Sequence, residues 1–548
     1  FENFLVLVVS LISLGASTSQ TQDGDYHECL RPCADESSSK KLCRYEFFVS
    51  ELPAVISERN CSKIVDESVI GHEGIPRNRY LGINGKSPGP RIEVCHGDTI
   101  EVLLYNRLGS EELSLHWHGL QQKGSAHMDG VPMVTQCAVL PFGGFRYKLK
   151  PESVGTYFYH AHLVSQQGDG VYGSLTVRGP QDDPSLERIL LLSSRPPTPL
   201  SRYSHLHPPT PTELLLNGQS KELTLKVDHG GRYLLRLINA NAYNCPVRLS
   251  ISGHDFRVVA ADGNVVQPVT GRHIVLFPGE RYDVTIEANQ PAGKYLVDMR
   301  GLQDCQKLQQ TAHIFYNDAE IDSAVIKDEE PLKINDDKIA KNGYNCTNQD
   351  GVRIAQINGM SFKYPSSPLL SQPENTPDEL ICSLEKRSQQ CVDTPLFCEC
   401  VQMIEVSPKR NVEIILIDQG FGGNASHGFH VHGYSASIVG RGSFDRPVTK
   451  EEIMYMNYDR KLHRNLVDPP QKDSFVVPNK GYVILRLFTD NLGYWLWEAR
   501  STAISPGTYG PGMQFLLKVG SRESFVPVPL NFPTCGNNKH PDMVFENN

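Results

Sequence analysis

The sequence has no apolar run of the roughly 18 to 20 residues that a membrane-spanning helix needs. It also lacks an excess of positive charge. Lys and Arg total 53 against 62 Asp and Glu, a net charge of −9. That balance gives no electrostatic footprint for nucleic acid. Its 14 cysteines contain no repeated C-x-x-C pair, so a structural zinc module is the weaker reading of them. Long helical periodicity is missing as well, and helices should be few and short. What is present is enough apolar residue to bury real cores, 39% against 21% charged, which excludes intrinsic disorder. Glycine (45) and proline (37) are plentiful, which suits many turns between short strands. At roughly 150 residues per domain, 548 residues imply three or four domains.

The apolar stretch Phe4 to Leu14, followed by Gly15, Ala16 and Ser17, reads as a secretory signal peptide over 1–19 whose own start is truncated. Secretion to the extracellular space follows, and with it a disulfide reading of the cysteines. Cys29, Cys33 and Cys43 cluster in a Cys-rich extension, 20–44, and Cys382, Cys391, Cys398 and Cys400 cluster late. Glycosylation sequons stand at Asn60, Asn345 and Asn424.

Alternating runs dominate the remainder. They include Thr99-Ile-Glu-Val-Leu-Leu, Tyr233-Leu-Leu-Arg-Leu-Ile and Tyr482-Val-Ile-Leu-Arg-Leu, separated by turns such as Asn84-Gly and Asp262-Gly. This is an all-β, sandwich pattern. An internal repeat is also visible. Gly155-Thr-Tyr-Phe-Tyr-His-Ala-His162, Gly293-Lys-Tyr-Leu-Val-Asp-Met-Arg300 and Gly493-Tyr-Trp-Leu-Trp-Glu-Ala-Arg500 align. His116-Trp-His-Gly119 recurs as His430-Val-His-Gly433. Three related sandwiches are expected at 45–180, 185–325 and 350–548.

On a strand, residues i and i+2 face the same side, so His-x-His presents two imidazoles together. His116/His118, His160/His162 and His430/His432 do so in the repeated setting, and His427 extends the last pair. One pair alone reads as hydrogen-bonded surface histidine. Three pairs at repeated places read as a nitrogen cluster suited to copper. His205-Leu-His207 lies in a Pro-rich stretch without that pattern and reads as solvated.

With these motifs the chain resembles a multicopper oxidase of the insect laccase type, over about residues 29 to 520. The matching blocks are His116-Trp-His-Gly-Leu-Gln with Met128-Asp-Gly-Val-Pro-Met-Val-Thr-Gln-Cys137, Tyr157 to Leu175, and Ser426-His-Gly-Phe-His-Val-His-Gly-Tyr434, where Gly428 replaces the usual proline. The resemblance implies three cupredoxin-like Greek-key sandwiches. It implies a type 1 copper that takes electrons from phenols, ascorbate or ferrous iron, and a trinuclear copper cluster that reduces dioxygen. By matched position His116 and His430 would hold the type 2 copper. His118, His160, His162 and His432 would hold parts of the type 3 pair, and His427 would be a type 1 ligand.

The fourth motif departs from the family pattern. Glu498 and Arg500 stand at two trinuclear histidine positions, Ala499 at the type 1 cysteine and Ile504 at the second type 1 histidine. Met513, the candidate axial ligand, is displaced in sequence. Without a thiolate there is no blue copper site, and Arg500 cannot ligate a metal. Glu498 and Arg500 would pair with each other or with neighbours, and the middle domain carries Asp298 and Arg300 at the same places. The chain resembles the branch called multicopper oxidase-related proteins. The expected function is a secreted, non-catalytic binding or matrix role with no catalytic residues, with cuticle or eggshell components as partners by analogy. Copper at reduced occupancy is expected, with His116/His430 the favoured pair. Two alternatives stand beside this: an active laccase- or ferroxidase-type oxidase, and a copper or zinc carrier. A glycan on Asn424 would obstruct the substrate mouth beside His427.

Overall fold

The computed structural model describes residues 27–33, 40–52, 80–202, 209–319, 324–327, 356–383, 385–387, 391–392, 398–420, 426–499 and 512–535. The expected signal peptide, the sequons at Asn60, Asn345 and Asn424, the His205/His207 pair, Arg500 and Ile504 lie outside the described residues.

The described chain folds into three successive β-sandwiches, each of two sheets. The first packs a four-stranded sheet holding Leu42–Glu51 and Thr99–Asn106 against one holding Leu115–His118, Gly155–Ala161 and Tyr172–Arg178. The second uses two six-stranded sheets between Glu187 and Ile326, and the third a seven-stranded and a four-stranded sheet between Ser361 and Val519. The alternating runs read from sequence are strands: Tyr233 to Ile238 lies in Arg232–Asn239, and Tyr482 to Leu487 in Gly481–Phe488. Among the described residues the α-helices are Val164–Asp169 and Lys450–Tyr458. No described helix is long and apolar enough to cross a membrane.

The internal repeat is a repeat of topology. The three Gly-started segments form the strands Gly155–Ala161, Lys294–Gly301 and Gly493–Ala499. Each runs antiparallel to a closing strand, Tyr172–Arg178, Gln309–Tyr316 and Gln514–Val519 respectively. Each closing strand in turn pairs in parallel with an earlier strand of its own sandwich.

Three apolar clusters fill the sandwiches. Trp117, Tyr147 and Tyr159 anchor the first, Leu237, Met299 and Tyr316 the second, and Trp495, Trp497 and Phe475 the third. Aromatic side chains of this size contribute much of the core burial. Among the described residues twelve cysteines form six disulfides. The early cluster closes as Cys29–Cys43 and Cys33–Cys95, and the late one as Cys382–Cys400 and Cys391–Cys398. Cys137–Cys535 ties the first sandwich to the chain that follows the third. Asn491 adds a second tie, donating to the carbonyls of Gln121 and Gly433. The first and third sandwiches are thereby held edge to edge, and the histidine motifs lie along that seam.

A candidate metal centre between the first and third sandwiches

Strand register delivers the imidazoles. His116 sits opposite His160 on antiparallel neighbours. Across the seam, His430 is flanked by Ser474 on one side and Glu498 on the other. Period-two alternation then sends Trp497 and Ala499 into the core of the third sandwich and Glu498 toward the histidines. His116, His118, His160, His162, His430 and His432 form one buried nest. The rings of His118 and His430 stack at 3.6 Å, and those of His116 and His432 lie 4.1 Å apart.

Backbone carbonyls orient these rings. His116 Nδ1–H donates to the carbonyl of Asp129 at 2.8 Å, and His430 Nδ1–H to that of Asp473 at 3.0 Å. The first contact depends on Gly130, whose positive φ lets the Asp129 loop press against the Leu115–His118 strand. A Cβ there would strike the Leu115 carbonyl. With both Nδ1 atoms donating, the neutral rings aim two Nε2 lone pairs at each other across 3.2 Å. Two lone pairs repel unless a cation lies between them. Metal–nitrogen bonds of about 2.0 Å span that gap, and a proton is a poor substitute. Burial pushes both His116 and His430 below the ordinary histidine range, His430 to about 4.

The His118/His160 pair follows the same logic. Ser474 Oγ donates to Asp473 Oδ1 at 2.9 Å and therefore accepts from His118 Nε2–H at 2.8 Å. That leaves His118 Nδ1 facing His160 Nε2 at 3.3 Å, while His160 Nδ1–H donates to the Ala161 carbonyl. Burial and the neighbouring His430 hold His118 well below its usual range. A cleft bordered by His118, His160, His430, Phe158, Phe429 and Gly279 reaches this edge of the nest.

Two buried aspartates support the nest. Asp473 accepts a two-pronged pair from fully buried Arg281, at 2.6 and 2.7 Å, and lies 3.4 to 3.5 Å from His118 and His430. Asp129 accepts from His432 Nδ1–H at 2.8 Å. Carboxylates and carbonyls behind imidazoles fix tautomer and raise ligand basicity. His432 differs from His116, His118 and His430. Burial alone would lower it, but Asp129 and Glu498 on either side raise it to about 9.

The positions of the fourth motif are now concrete. Glu498 is completely buried. Its Oε1 lies 3.4 Å from His432 Nε2 and 3.7 Å from His162 Nε2, and its Oε2 accepts from Gln514 Nε2 at 2.9 Å. Ala499 is buried opposite Phe429, and its N–H donates to the carbonyl of Met513 at 3.0 Å. The Met513 side chain packs against the third core. His427 stands apart from the nest at the start of its strand, its Nε2 3.6 Å from Asp418 Oδ2. All cysteines among the described residues are in disulfides, so none of them offers a thiolate to His427. The donor set therefore fits metal held by imidazoles. Among the described residues it does not fit a thiolate-ligated copper. Sequence reading brought out the six clustered histidines. It gave no role to Asp129, which stands inside a quoted motif, and passed over Asp473, Ser474 and Arg281, which carry no local signal.

Comparison with known proteins agrees with this architecture. Three family models, each described as multicopper oxidase, match residues 65–182, 180–319 and 365–502. A laccase of Neurospora crassa is 28% identical, over 78% of this chain and 72% of its own length. Laccase-4 of Arabidopsis thaliana is 26% identical, over 83% and 91%. Among solved structures, Fet3p, titled a multicopper oxidase that functions in iron import, superposes with a TM-score of 0.68 at 21% identity, covering 90% of this chain and 94% of its own. A laccase from Botrytis aclada gives 0.63 at 22% identity, covering 90% of each. The three sandwiches are cupredoxin-like, and the chain belongs to the multicopper oxidase family.

Proposed function

We propose that this protein is a secreted member of the family that holds metal in its imidazole nest but does not run a laccase cycle, and that it acts by binding in the extracellular matrix. The observation that carries this reading is Ala499. It occupies the strand position where the family resemblance puts the type 1 cysteine, and it has no donor atom. Copper held by imidazoles supplies one-electron chemistry toward dioxygen when electrons reach it. Here the electron-receiving position carries only a methyl group, packed in an apolar core. His116 and His430, whose Nε2 atoms face each other at 3.2 Å, are the residues that would hold the favoured copper. Asp129 and Asp473 fix those two rings, and Arg281 keeps Asp473 charged. The six disulfides and the apolar N-terminal segment support secretion. Cuticle or eggshell components are the partner class that the insect resemblance suggests.

The names of the relatives favour a second reading, an active copper oxidase. One experiment separates the two. The full chain is secreted from cells grown with copper, and copper per chain, the visible spectrum and oxygen uptake with a phenol or ferrous iron are measured on one sample. The proposal expects bound copper without an intense thiolate-to-copper band and without turnover. A blue band with turnover overturns it.

A further inference from the structure

We infer that His162, His432 and Glu498 form a two-imidazole, one-carboxylate site for a divalent first-row metal, distinct in chemistry from an all-histidine copper site. The inference rests on reading the nest as a metal holder and adds the carboxylate as a working ligand.

The geometry converges on one oxygen. Glu498 Oε1 faces His432 Nε2 at 3.4 Å and His162 Nε2 at 3.7 Å. Ligand bonds of about 2.0 to 2.2 Å to nitrogen and carboxylate oxygen bridge separations of this size. The two rings are 5.5 Å apart between centroids and inclined at 57°, so they approach a shared point from different directions. All three side chains are buried.

The supporting shell is built. Gln514 Nε2 donates to Glu498 Oε2 at 2.9 Å and to Tyr364 Oη at 2.9 Å. Holding Oε2 turns Oε1 inward. Behind His432, Asp129 accepts from Nδ1–H at 2.8 Å, the carboxylate–histidine–metal arrangement that orients a ligand and strengthens it. Strand register supports the placement, because Glu498 sits directly opposite His430 and cannot swing to the other face without breaking the sheet.

Charge selects the metal's valence. A divalent ion with Glu498 and two neutral imidazoles leaves one positive charge, and the Asp129 carboxylate behind His432 balances it. A cuprous ion would leave the set one negative charge in excess, and its preference is for soft ligands. The site therefore takes zinc, cobalt(II) or copper(II) and resists reduction.

The test uses the full chain stripped with a chelator and reloaded with cobalt(II) alone. Metal per chain after gel filtration, a titration, and the cobalt absorption bands are read together. The expected result is that Glu498→Gln weakens one cobalt equivalent at least tenfold and alters its bands, while Asp298→Ala, at the same strand position of the middle sandwich, leaves that equivalent in place. His162→Gln is the second arm if Glu498→Gln fails to fold. Glu498→His is expected to restore binding. A folded Glu498→Gln or His162→Gln protein that binds cobalt with wild-type affinity and bands overturns the inference. That outcome leaves the oxygen-uptake assay unaffected, so failure of this site and failure of the non-oxidase reading are told apart.

Discussion

The middle and third sandwiches carry an acidic residue at the same place of the repeated strand, and the two do different work. In the middle sandwich Asp298 accepts from Arg300 Nε at 2.8 Å and from Gln309 Nε2 at 2.6 Å, and Arg300 is partly solvent-exposed. In the third, Glu498 is sealed off from solvent and meets Gln514 and the imidazoles of His432 and His162. The same strand position thus means a rim ion pair in one sandwich and a core ligand candidate in the other. The difference lies in what packs opposite. Both strands pair on both sides within their own sheets, but Glu498 faces the histidine-bearing edge of the first sandwich, whereas Asp298 meets Arg300 and Gln309 of its own sheet.

The comparison is sharpened by removing buried and rim carboxylates in turn. Asp473→Ala is expected to have the largest effect. It leaves the fully buried Arg281 guanidinium with only the more distant Asp262 carboxylate, 3.5 Å away, and breaking a buried pair in this way costs about 3–5 kcal/mol. Chemical denaturation of the metal-stripped protein measures it. Glu498→Ala in the same protein should cost less, about 2 kcal/mol, from a lost charged hydrogen bond and a small cavity. An unchanged midpoint would mean that Glu498 is not the anchored group described above.

A pH series probes the same region. His432 is raised to about 9 in the fold against an ordinary value near 6.5. Its protonated form is therefore favoured by folding. That stability is fully present below about pH 6.5 and is lost as pH rises through about 9, with a slope of at most about 1.4 kcal/mol per pH unit. Melting of metal-stripped protein between about pH 6 and 10 should show the decline, and Glu498→Gln should flatten it. A wild-type curve flat over this range would contradict the Asp129–His432–Glu498 arrangement. The smallest effect is expected for Asp298→Ala, under about 1 kcal/mol, since its partner is partly solvated. A loss as large as that of Glu498→Ala would erase the contrast between the two sandwiches.

Much of the fold was legible because strand signals are local. Period-two alternation, Asn-Gly and Asp-Gly turns, and the thrice-repeated Gly-aromatic segment all act over a few residues. The six histidines were legible for the same reason, since i and i+2 share a face of any strand. Asp473 and Arg281 were not. They are 192 residues apart and meet only where the second and third sandwiches touch. Glu498 was legible as an unusual residue at its position, but which neighbours it meets was not, because the repeat preserves strand geometry and says nothing of what lies across the seam.

Three β-sandwiches, the histidine pairs and the alanine at position 499 follow from the order of residues alone, because each is a matter of local pattern or of residue identity. Which nitrogens face each other, which aspartates stand behind them and that Glu498 turns toward His162 and His432 emerge from packing in three dimensions. Those relations depend on two sandwiches meeting edge to edge, and no short-range pattern encodes the distance between strands so far apart along the chain.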